Sequence, residues 1–201
     1  MSAELPVQSI AAIATVVAAL IAGAIAFVNL TLTKEQKTSE FRQAWIDALR
    51  EDLAQFLAAA RAFTRAIEAL HTLGPDYDTK YPLNISASKI SELRYQAAET
   101  FSRIQLRLNP DEPEHVELLR LLRRAIDEQN AALAAKATDI GPTMRAIEAA
   151  TSYAQPVLKR EWTRVKRGEL PFRVARNWVA PIIVMLSVAF VLFLLAGKFK
   201  I

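Results

Sequence analysis

Few residues of this chain have the types and spacing that chemistry requires. The two histidines, His71 and His115, stand far apart, and neither belongs to an HExxH motif or to another metal-ligand spacing. Asp76 and Asp78 could approach a divalent cation, but two carboxylates in one loop form a weak site. The chain has no cysteine and only five glycines, which are not clustered, so it offers neither a thiolate ligand nor a phosphate-binding loop. The sequence therefore predicts no enzyme, cofactor or metal, and it places both histidines at helix ends or on the surface.

Positive charge is the strongest local feature of the sequence. The stretch LKREWTRVKRGELPFRVARNW, Leu158–Trp178, contains seven basic residues and two glutamates. The basic residues are Lys159, Arg160, Arg164, Lys166, Arg167, Arg173 and Arg176. Such clusters are often footprints of nucleic-acid binding, but this one leads into WVAPIIVMLSVAFVLFLLAG, about twenty residues without a charge, which is long enough to cross a bilayer as a helix. The sequence favours contact with anionic head groups, at about 1 kcal/mol per residue, over nucleic acid.

A second uncharged stretch, Pro6–Leu32, lies near the N-terminus. It is longer than the apolar core of a signal peptide, and its basic residues Lys34, Lys37 and Arg42 follow it instead of preceding it. Lys and Arg collect on the cytoplasmic side of a membrane. Both stretches therefore predict a protein of the bacterial inner membrane with its two termini outside and the segment between the spans in the cytoplasm.

The two predicted spans differ in composition. The first is rich in small residues, namely Ala14, Ala18, Ala19, Ala22, Gly23 and Ala26. Helices in lipid associate through close van der Waals packing, so these residues predict a helix-packing face, either on the second span of the same chain or between several copies. Neither span contains Asp, Glu, Lys, Arg or His, which argues against a transporter with a proton or ion relay.

The first long helix is the clearest prediction for the segment between the spans. From Lys34 to Leu73 there is no Gly or Pro. Apolar residues recur there in steps of three and four, at Ile46, Leu49, Leu53, Phe56, Ala60, Phe63, Ile67 and Leu70. This is the a/d pattern of coiled-coil packing. It predicts one helix that continues from the first span and ends at Gly74-Pro75.

Three further helices are predicted, and no segment has the alternating pattern of a strand. The first of them begins near Ser88, and the last begins at Gly141-Pro142 and is kinked or divided at Pro156. The middle one follows the turn NPDEPE, presents Leu119, Leu122, Ile126 and Leu133 to the core, and is expected to end at Gly141-Pro142.

The predicted fold class is therefore all-α, with two transmembrane helices and an antiparallel cytoplasmic helical bundle. Residues 1–32 form the N-terminal tail and the first transmembrane helix, and residues 33–175 form the bundle. Residues 176–201 form the second transmembrane helix and a short outer tail.

Two tryptophans are predicted to mark the base of the bundle. Trp45 and Trp162 lie at similar distances from their spans, so FRQAWIDALRED is expected to pack against LKREWTRVKRGE. In this collar we expect Arg42 or Arg50 to pair with Glu161. The tryptophans serve either as core anchors or as the point at which movement of the bundle passes to the spans.

The segments WIDALREDLAQF and LKREWTRVKRGE resemble parts of small bacterial inner-membrane proteins with two spans and a helical cytoplasmic region. The chain is also similar in organisation to the two-span membrane effectors of bacterial anti-phage systems. That resemblance implies a cytoplasmic sensing or assembly region coupled to spans that compromise the membrane.

Three functions are compatible with the sequence. The leading hypothesis is a non-enzymatic membrane protein whose bundle binds a protein partner or another copy of itself and couples that state to its spans. The second is a passive anchor or scaffold that recruits a complex through the bundle tip around Tyr77, Tyr81 and Leu83. The third is a subunit that attaches an enzyme to the membrane without doing chemistry. All three predict membrane lipids and protein as partners, and neither nucleic acid nor a small-molecule substrate.

Overall fold

The computed structural model describes residues 7–80, 86–167 and 170–198. They form helices α1 (Val7–Leu73), α2 (Tyr77–Lys80), α3 (Ala87–Arg107), α4 (Pro113–Ala134), α5 (Gly141–Arg167), α6 (Leu170–Val174) and α7 (Ala180–Lys198), with a 3₁₀ turn at Gly74–Asp76 and a π-helical turn at Ala175–Val179. No strand occurs in these ranges, so the predicted all-α class is confirmed. The chain forms two compact units, one of Arg42–Arg164 and one of Met1–Phe41 with Val165–Ile201.

Helix α1 is the central element of the unit Arg42–Arg164, because it contacts each of the other three long helices. Asp52 pairs with Arg107 of α3 at 2.7 Å, and Gln129 of α4 donates to a backbone carbonyl of α1 at 2.7 Å. Arg61 donates to the Thr151 hydroxyl of α5 at 2.9 Å. The four helices therefore form a bundle around α1.

The buried surface of α1 is wider than a coiled-coil seam. Seven of the eight predicted seam residues are buried, and Leu70, which is 38% exposed, is the exception. The helix also buries Asp52, Leu57, Ala59, Thr64 and Ala66. A two-stranded coiled coil covers only the a and d positions, whereas contact with three helices covers additional positions.

The ends of α1 and α3 follow local rules. Helix α1 ends at Leu73, as predicted, and Gly74 adopts a φ of 52°, which a residue without Cβ reaches at little cost. Helix α3 begins at Ala87, where the Ser86 hydroxyl accepts a hydrogen bond from the Lys89 N–H at 3.3 Å. Such an N-cap satisfies one of the free N–H groups of the first turn.

The buried side of helix α4 is shifted by about one residue from the predicted seam. Its buried residues are His115, Leu118, Leu122, Ala125 and Gln129. Of the predicted set, Leu122 is buried, whereas Leu119, Ile126 and Leu133 are half-buried, and the first two of these pack against the core from its edge. The buried side includes a polar contact with α1, because Gln129 donates to the Ala60 carbonyl at 2.7 Å and to the Thr64 hydroxyl at 2.9 Å.

Helix α4 ends at Ala134. Gly141 does not end this helix but is the first residue of α5. The end is a Schellman motif without glycine. The Ala137 N–H donates to the Ala132 carbonyl at 2.9 Å, the Lys136 N–H donates to the Leu133 carbonyl at 3.2 Å, and Lys136 has a φ of 49°. A lysine thus occupies the left-handed position that glycine fills most easily.

Replacing Lys136 by glycine is expected to stabilise the bundle. The substitution removes the Cβ that makes a left-handed φ unfavourable and should raise the free energy of unfolding by about 1 kcal/mol. Urea unfolding of the full chain in detergent micelles, followed by tryptophan fluorescence, measures the change. Ala131→Gly, at an exposed position inside α4, should lower the same quantity by about 1 kcal/mol. Equal destabilisation by both substitutions would contradict the assignment of the motif.

Helix α5 runs through Pro156 as one helix from Gly141 to Arg167, so it is not divided there. Proline lacks the N–H that would bond the Ser152 carbonyl.

The core-facing side of α5 consists mainly of small residues, including Ala146, Ala150 and Ala154, which let it approach α1 and α4 closely.

The other unit contains the apolar helical segments. Two of them are long and apolar enough to cross a membrane by length and composition, one within the stretch Ala14–Asp76 towards the N-terminus and one at Phe172–Phe190. Half-buried residues of α1 recur there in steps of three and four, at Ala14, Val17, Ile21, Ala24, Val28 and Thr31. Helix α7 has a matching half-buried series at Ala180, Ile183, Ser187 and Phe190. Residues of both helices line a shared groove of about 280 Å³, so the two segments pack on each other.

Candidate functional site

A buried histidine lies at the turn between α3 and α4. The His115 side chain is buried, and its ring centroid lies 6.0 Å from that of Trp45 at an interplanar angle of 41°. Its Nδ1 accepts a hydrogen bond from the Asn109 N–H at 3.1 Å, so the neutral ring carries its proton on Nε2. That nitrogen is 3.9 Å from Glu112 Oε2. The prediction of a helix-end position is correct, but this residue is not on the surface.

Two glutamates and an arginine complete this cluster. Arg164 of α5 lies 3.2 Å from Glu112 and 2.9 Å from Glu161, which is only 5% exposed. Burial raises the pKa of Glu112, but the hydrogen bond and the charge of Arg164 outweigh it, so this pKa lies below its ordinary value. For Arg164, burial lowers the pKa, and the neighbouring carboxylates reverse that effect and raise it. The charges of the cluster thus stabilise one another.

The carboxylate and imidazole side chains of this cluster are of types that can bind a metal ion. One ligand atom each of Glu112, His115 and Glu161 lie within 4.8 Å of one another. However, the Asn109 N–H occupies Nδ1 of His115, so a neutral ring holds its proton on Nε2, and a protonated nitrogen does not ligate a metal. Arg164 already supplies the positive charge between the two carboxylates. The donor set therefore fits an ion-pair network that joins α4 to α5 better than it fits a cation site.

Sequence reasoning missed this cluster, although the spacing of Glu112 and His115 was visible. Their separation by three residues places both on one face at the start of a helix. The contribution of Glu161 and Arg164 depends on the packing of α5 against α4, which no local pattern specifies.

The predicted collar has different partners from those expected. Trp45 Nε1 donates to the Arg107 carbonyl at 3.0 Å. Arg50 pairs with Asp47 at 2.7 Å, whereas Glu161 pairs with Arg164. The expected pairing of Glu161 with Arg42 or Arg50 is therefore wrong.

The reason lies in the two sides of α5. Glu161 is on the side that meets α4, whereas Arg50 lines a groove on another side together with Leu158 and Trp162. The α1 and α5 segments do come together there, with Leu49 and Val157 in the common core. Arg42 is half-buried, as is Trp162.

The predicted membrane-surface residues divide into two groups. Arg160 forms an ion pair with Glu114, and Arg164 belongs to the buried cluster, so both hold α5 against α4. Exposed side chains outside that cluster belong to Lys159, Lys166, Arg167 and Arg173. Arg176 lies in the π-helical turn, and its side chain is outside the described part of the structure.

The small residues of the first apolar segment also divide into two groups. Ala14 belongs to the half-buried series that packs on α7. The exposed ones are Ala18, Ala19, Ala22, Gly23 and Ala26, and a Cβ added at Gly23 would meet no atom within 4 Å.

The exposed small residues are part of a second regular series on α1. Thr15, Ala19, Ala22 and Ala26 are all exposed and are spaced alternately by four and three. At 100° per residue, this series lies about 160° around the helix axis from the residues that pack on α7. We call it the small-residue face. It is the side of α1 that α7 does not cover.

A buried aspartate is the second feature that the sequence did not predict. Asp52 of α1 is 4% exposed, and Arg107 Nε donates to its Oδ2 at 2.7 Å. Arg103 Nε is 2.9 Å from Oδ1 but is not oriented to donate, so this second contact is an ion pair without a hydrogen bond. Two arginines of α3 thus compensate one buried carboxylate of α1.

The predicted bundle tip is only partly described. Tyr77 is 6% exposed, so it is not the exposed contact that the anchor hypothesis requires, and Tyr81 and Leu83 lie outside the described residues. Asp76 pairs with Lys80 at 2.6 Å, and the side chain of Asp78 is outside the described part. His71, half-buried near the end of α1, has its Nδ1 2.9 Å from the Ala137 carbonyl.

Comparison with known proteins adds no functional assignment. No family model, curated protein or solved structure matches this chain.

Proposed function

We propose that this chain is a non-enzymatic integral membrane protein that assembles through its first span and couples the state of its helical bundle to the membrane. The observation that carries the proposal is the small-residue face of α1, which lies opposite the side that packs on α7 and is exposed along its length. In this proposal the assembled spans perturb the membrane, as an effector would.

The exposure of apolar side chains supports the membrane location. Leu20 is 68% exposed, Leu30 is 71% exposed and Val184 is 61% exposed, whereas the aliphatic core residues of the unit Arg42–Arg164 are buried. Leaving a large aliphatic side chain in water forgoes about 1.5–3 kcal/mol relative to burial. Hydrocarbon is the environment that suits these surfaces.

The distribution of charge supports an orientation. We propose the bacterial inner membrane, with both termini outside and the bundle in the cytoplasm. The exposed side chains of Arg167 and Arg173 precede α7, and Lys34 and Lys37 follow the apolar part of α1. These positions agree with the preference of basic residues for the cytoplasmic side.

The composition of the small-residue face supports association between copies. Small side chains let two helix backbones approach closely in lipid. The bulky exposed residues of α1, including Val16, Leu20 and Phe27, project from other sides of the helix and suit lipid contact.

The interior of the bundle supports a role in interaction instead of chemistry. Its largest buried side chains are mainly aliphatic or aromatic, such as Phe56, Leu118 and Ile147. The buried polar groups Asp52, Gln129 and Glu161 are engaged by other parts of the chain. A filled core with internally paired polar groups is suited to transmitting a packing change between helices.

The combined substitution of Ala19 and Ala22 by leucine tests this proposal, because both residues belong to the small-residue face. The added side chains should prevent close approach of two first spans, so that oligomers of the full chain disappear and any effect on membrane potential is lost. Single cysteines placed along α1 measure the association by crosslinking in cells, because the chain has no native cysteine.

Val16→Leu combined with Phe27→Leu is the matched control, since it changes bulky exposed positions of the same helix. The control should keep the crosslinks with helical periodicity through Ala19 and Ala22. Unchanged crosslinking in the Ala19→Leu/Ala22→Leu variant would refute association through this face.

An anchor that recruits a cytoplasmic complex is the second candidate, and exposed residues of α3 favour it. Tyr95 is 72% exposed and Leu106 is 87% exposed. They are eleven residues apart, about three turns, and so lie on one face of the helix. If recruitment is the function, Tyr95→Ala with Leu106→Ala should abolish it, whereas the leucine substitutions in the first span should leave it intact.

A further inference from the structure

A hydrogen bond to a histidine ring fastens the end of α3 to the start of α4. The Asn109 N–H, two residues after α3, donates at 3.1 Å to Nδ1 of His115 in the first turn of α4. The end of α3 is also held to α1, because Trp45 Nε1 donates to the Arg107 carbonyl at 3.0 Å. The Trp45 and His115 rings are neighbours, with centroids 6.0 Å apart. One imidazole nitrogen therefore supports a turn at which three helices meet.

This hydrogen bond exists only while Nδ1 carries no proton. Nδ1 accepts in the neutral ring observed here, whereas both nitrogens of a protonated ring are donors. A proton on Nδ1 would face the Asn109 N–H and abolish the bond. His115 is only 3% exposed, so its ring has no room to turn away from Asn109 without displacing its neighbours. Protonation of this histidine therefore requires a change in the α3–α4 turn.

The charges around the ring favour uptake of a proton. Glu112 Oε2 is 3.9 Å from Nε2, and one oxygen of Glu161 lies within 4.8 Å of a ring nitrogen. Arg164 contacts both glutamates and supplies one positive charge. With a neutral ring these three groups sum to one negative charge, and an imidazolium brings the sum to zero. Burial disfavours a charged ring, and the uncompensated carboxylate opposes that effect.

The other charged groups near this cluster leave its negative charge in place. Arg160 pairs with Glu114 where α5 meets α4, and Arg107 of α3 pairs with Asp52 of α1 at 2.7 Å. Among the described contacts, the half-buried Arg42 of α1 pairs with neither carboxylate of the cluster. The histidine is therefore the group of this cluster that can change its charge balance near neutral pH.

We propose that His115 is a proton-dependent switch of the α3–α4 turn, in which a protonated ring exchanges its bond from Asn109 for contact with the two carboxylates. The proton comes from solvent and binds at Nδ1, and no bond between heavy atoms forms or breaks. The neutral ring holds the turn, and the charged ring releases the Asn109 N–H. The inference goes beyond the proposed self-assembly and does not depend on it, because all these groups lie in the unit Arg42–Arg164 of one chain. It gives the bundle the two states that a coupled response requires.

NMR of the full chain in detergent micelles tests this switch, because the chain has only two histidines. Spectra recorded from about pH 8 to about pH 5 cover the range in which histidine changes its charge. At the alkaline end, ring ¹⁵N signals should show His115 Nδ1 without a proton and Nε2 with one. At the acidic end both nitrogens should be protonated. The backbone amide signal of Asn109 should shift in step with the ring, because it loses its acceptor.

Three variants separate the switch from a general effect of acid. His115→Gln keeps a side-chain acceptor but takes up no proton in this range, so the acid-induced shift of the Asn109 amide should disappear. His71→Gln changes the other histidine and should leave that shift intact. Glu161→Gln removes one carboxylate and should move the shift to lower pH, because the charged ring loses a partner. This last variant keeps His115 and so tests the switch even where His115→Gln does not fold.

The amide of Asn130, fifteen residues further along α4, is the internal reference and should stay unchanged. The switch is overturned if His115 stays neutral at the acidic end, or if Nδ1 already carries a proton at the alkaline end. An Asn109 amide that does not move while the ring titrates overturns it as well. So does a simultaneous change of the Asn130 signal, since acid then unfolds the bundle as a whole. None of these outcomes depends on whether the first spans associate.

Discussion

Replacing Phe56 by alanine is expected to lower the free energy of unfolding of the bundle by about 4 kcal/mol. Phe56 is 0% exposed, and its ring centroid lies 6.0 Å from that of Phe101 at an angle of 43°. It belongs to the same buried cluster as Leu122 and Ile147, so its removal leaves a cavity between α1 and its neighbours. The destabilisation combines lost transfer free energy with lost packing around that cavity.

Urea unfolding of the full chain in detergent micelles, monitored by tryptophan fluorescence, measures this change. Leu106→Ala is the matched control, because Leu106 is 87% exposed and its truncation should alter stability by less than about 0.5 kcal/mol. Similar effects of the two substitutions would show that the packing of α1 against α3 is not as described.

Replacing Asp52 by alanine is expected to lower the free energy of unfolding by about 3 kcal/mol. The substitution leaves Arg103 and Arg107 without the carboxylate that compensates them, and part of each guanidinium remains between α1 and α3. The arginine side chains are 39% and 34% exposed, so solvent reduces the penalty from the upper end of the range for a fully buried pair.

The neighbouring residue supplies the control for this substitution. Glu51 is exposed and bonds only Gln55 among the described contacts, so Glu51→Ala should change stability by less than about 0.5 kcal/mol. Asp52→Asn keeps the size of the side chain and removes the charge, so it isolates the electrostatic part of the loss. A neutral effect of both Asp52 substitutions would mean that the ion pairs do not stabilise the bundle.

Local patterns in the sequence determined the helical class, the end of α1 at Leu73 and the start of α5 at Gly141. These features depend on side chains within one turn of the position concerned. A helix ends where glycine accepts a positive φ, and it begins where proline can occupy the first turn without losing a hydrogen bond. The two apolar segments are equally local, because their length and composition can be read directly.

Features that involve facing helices were decided by the tertiary structure. The sequence placed Leu119 on the core seam of α4, whereas in the structure Leu118 is buried and Leu119 packs at the edge of the core. It predicted that Arg42 or Arg50 pairs with Glu161, although the Arg50 and Glu161 side chains lie on different sides of the α1–α5 contact. Periodicity fixes which residues share a helix face but leaves the rotation of that face open, because several rotations bury similar apolar area.

Charge and size patterns in the sequence likewise identified candidate residues for membrane contact and helix packing. They did not show which of these residues are occupied by contacts within the chain. The sequence singled out seven basic residues and six small ones, and only tertiary packing divided each set. Arg160 and Arg164 turn towards glutamates of the bundle, whereas Arg173 stays exposed. Ala14 packs on α7, whereas Ala22 faces away. The identity of a residue specifies what it can bind. The packing of the neighbouring helix decides which partner lies within its reach.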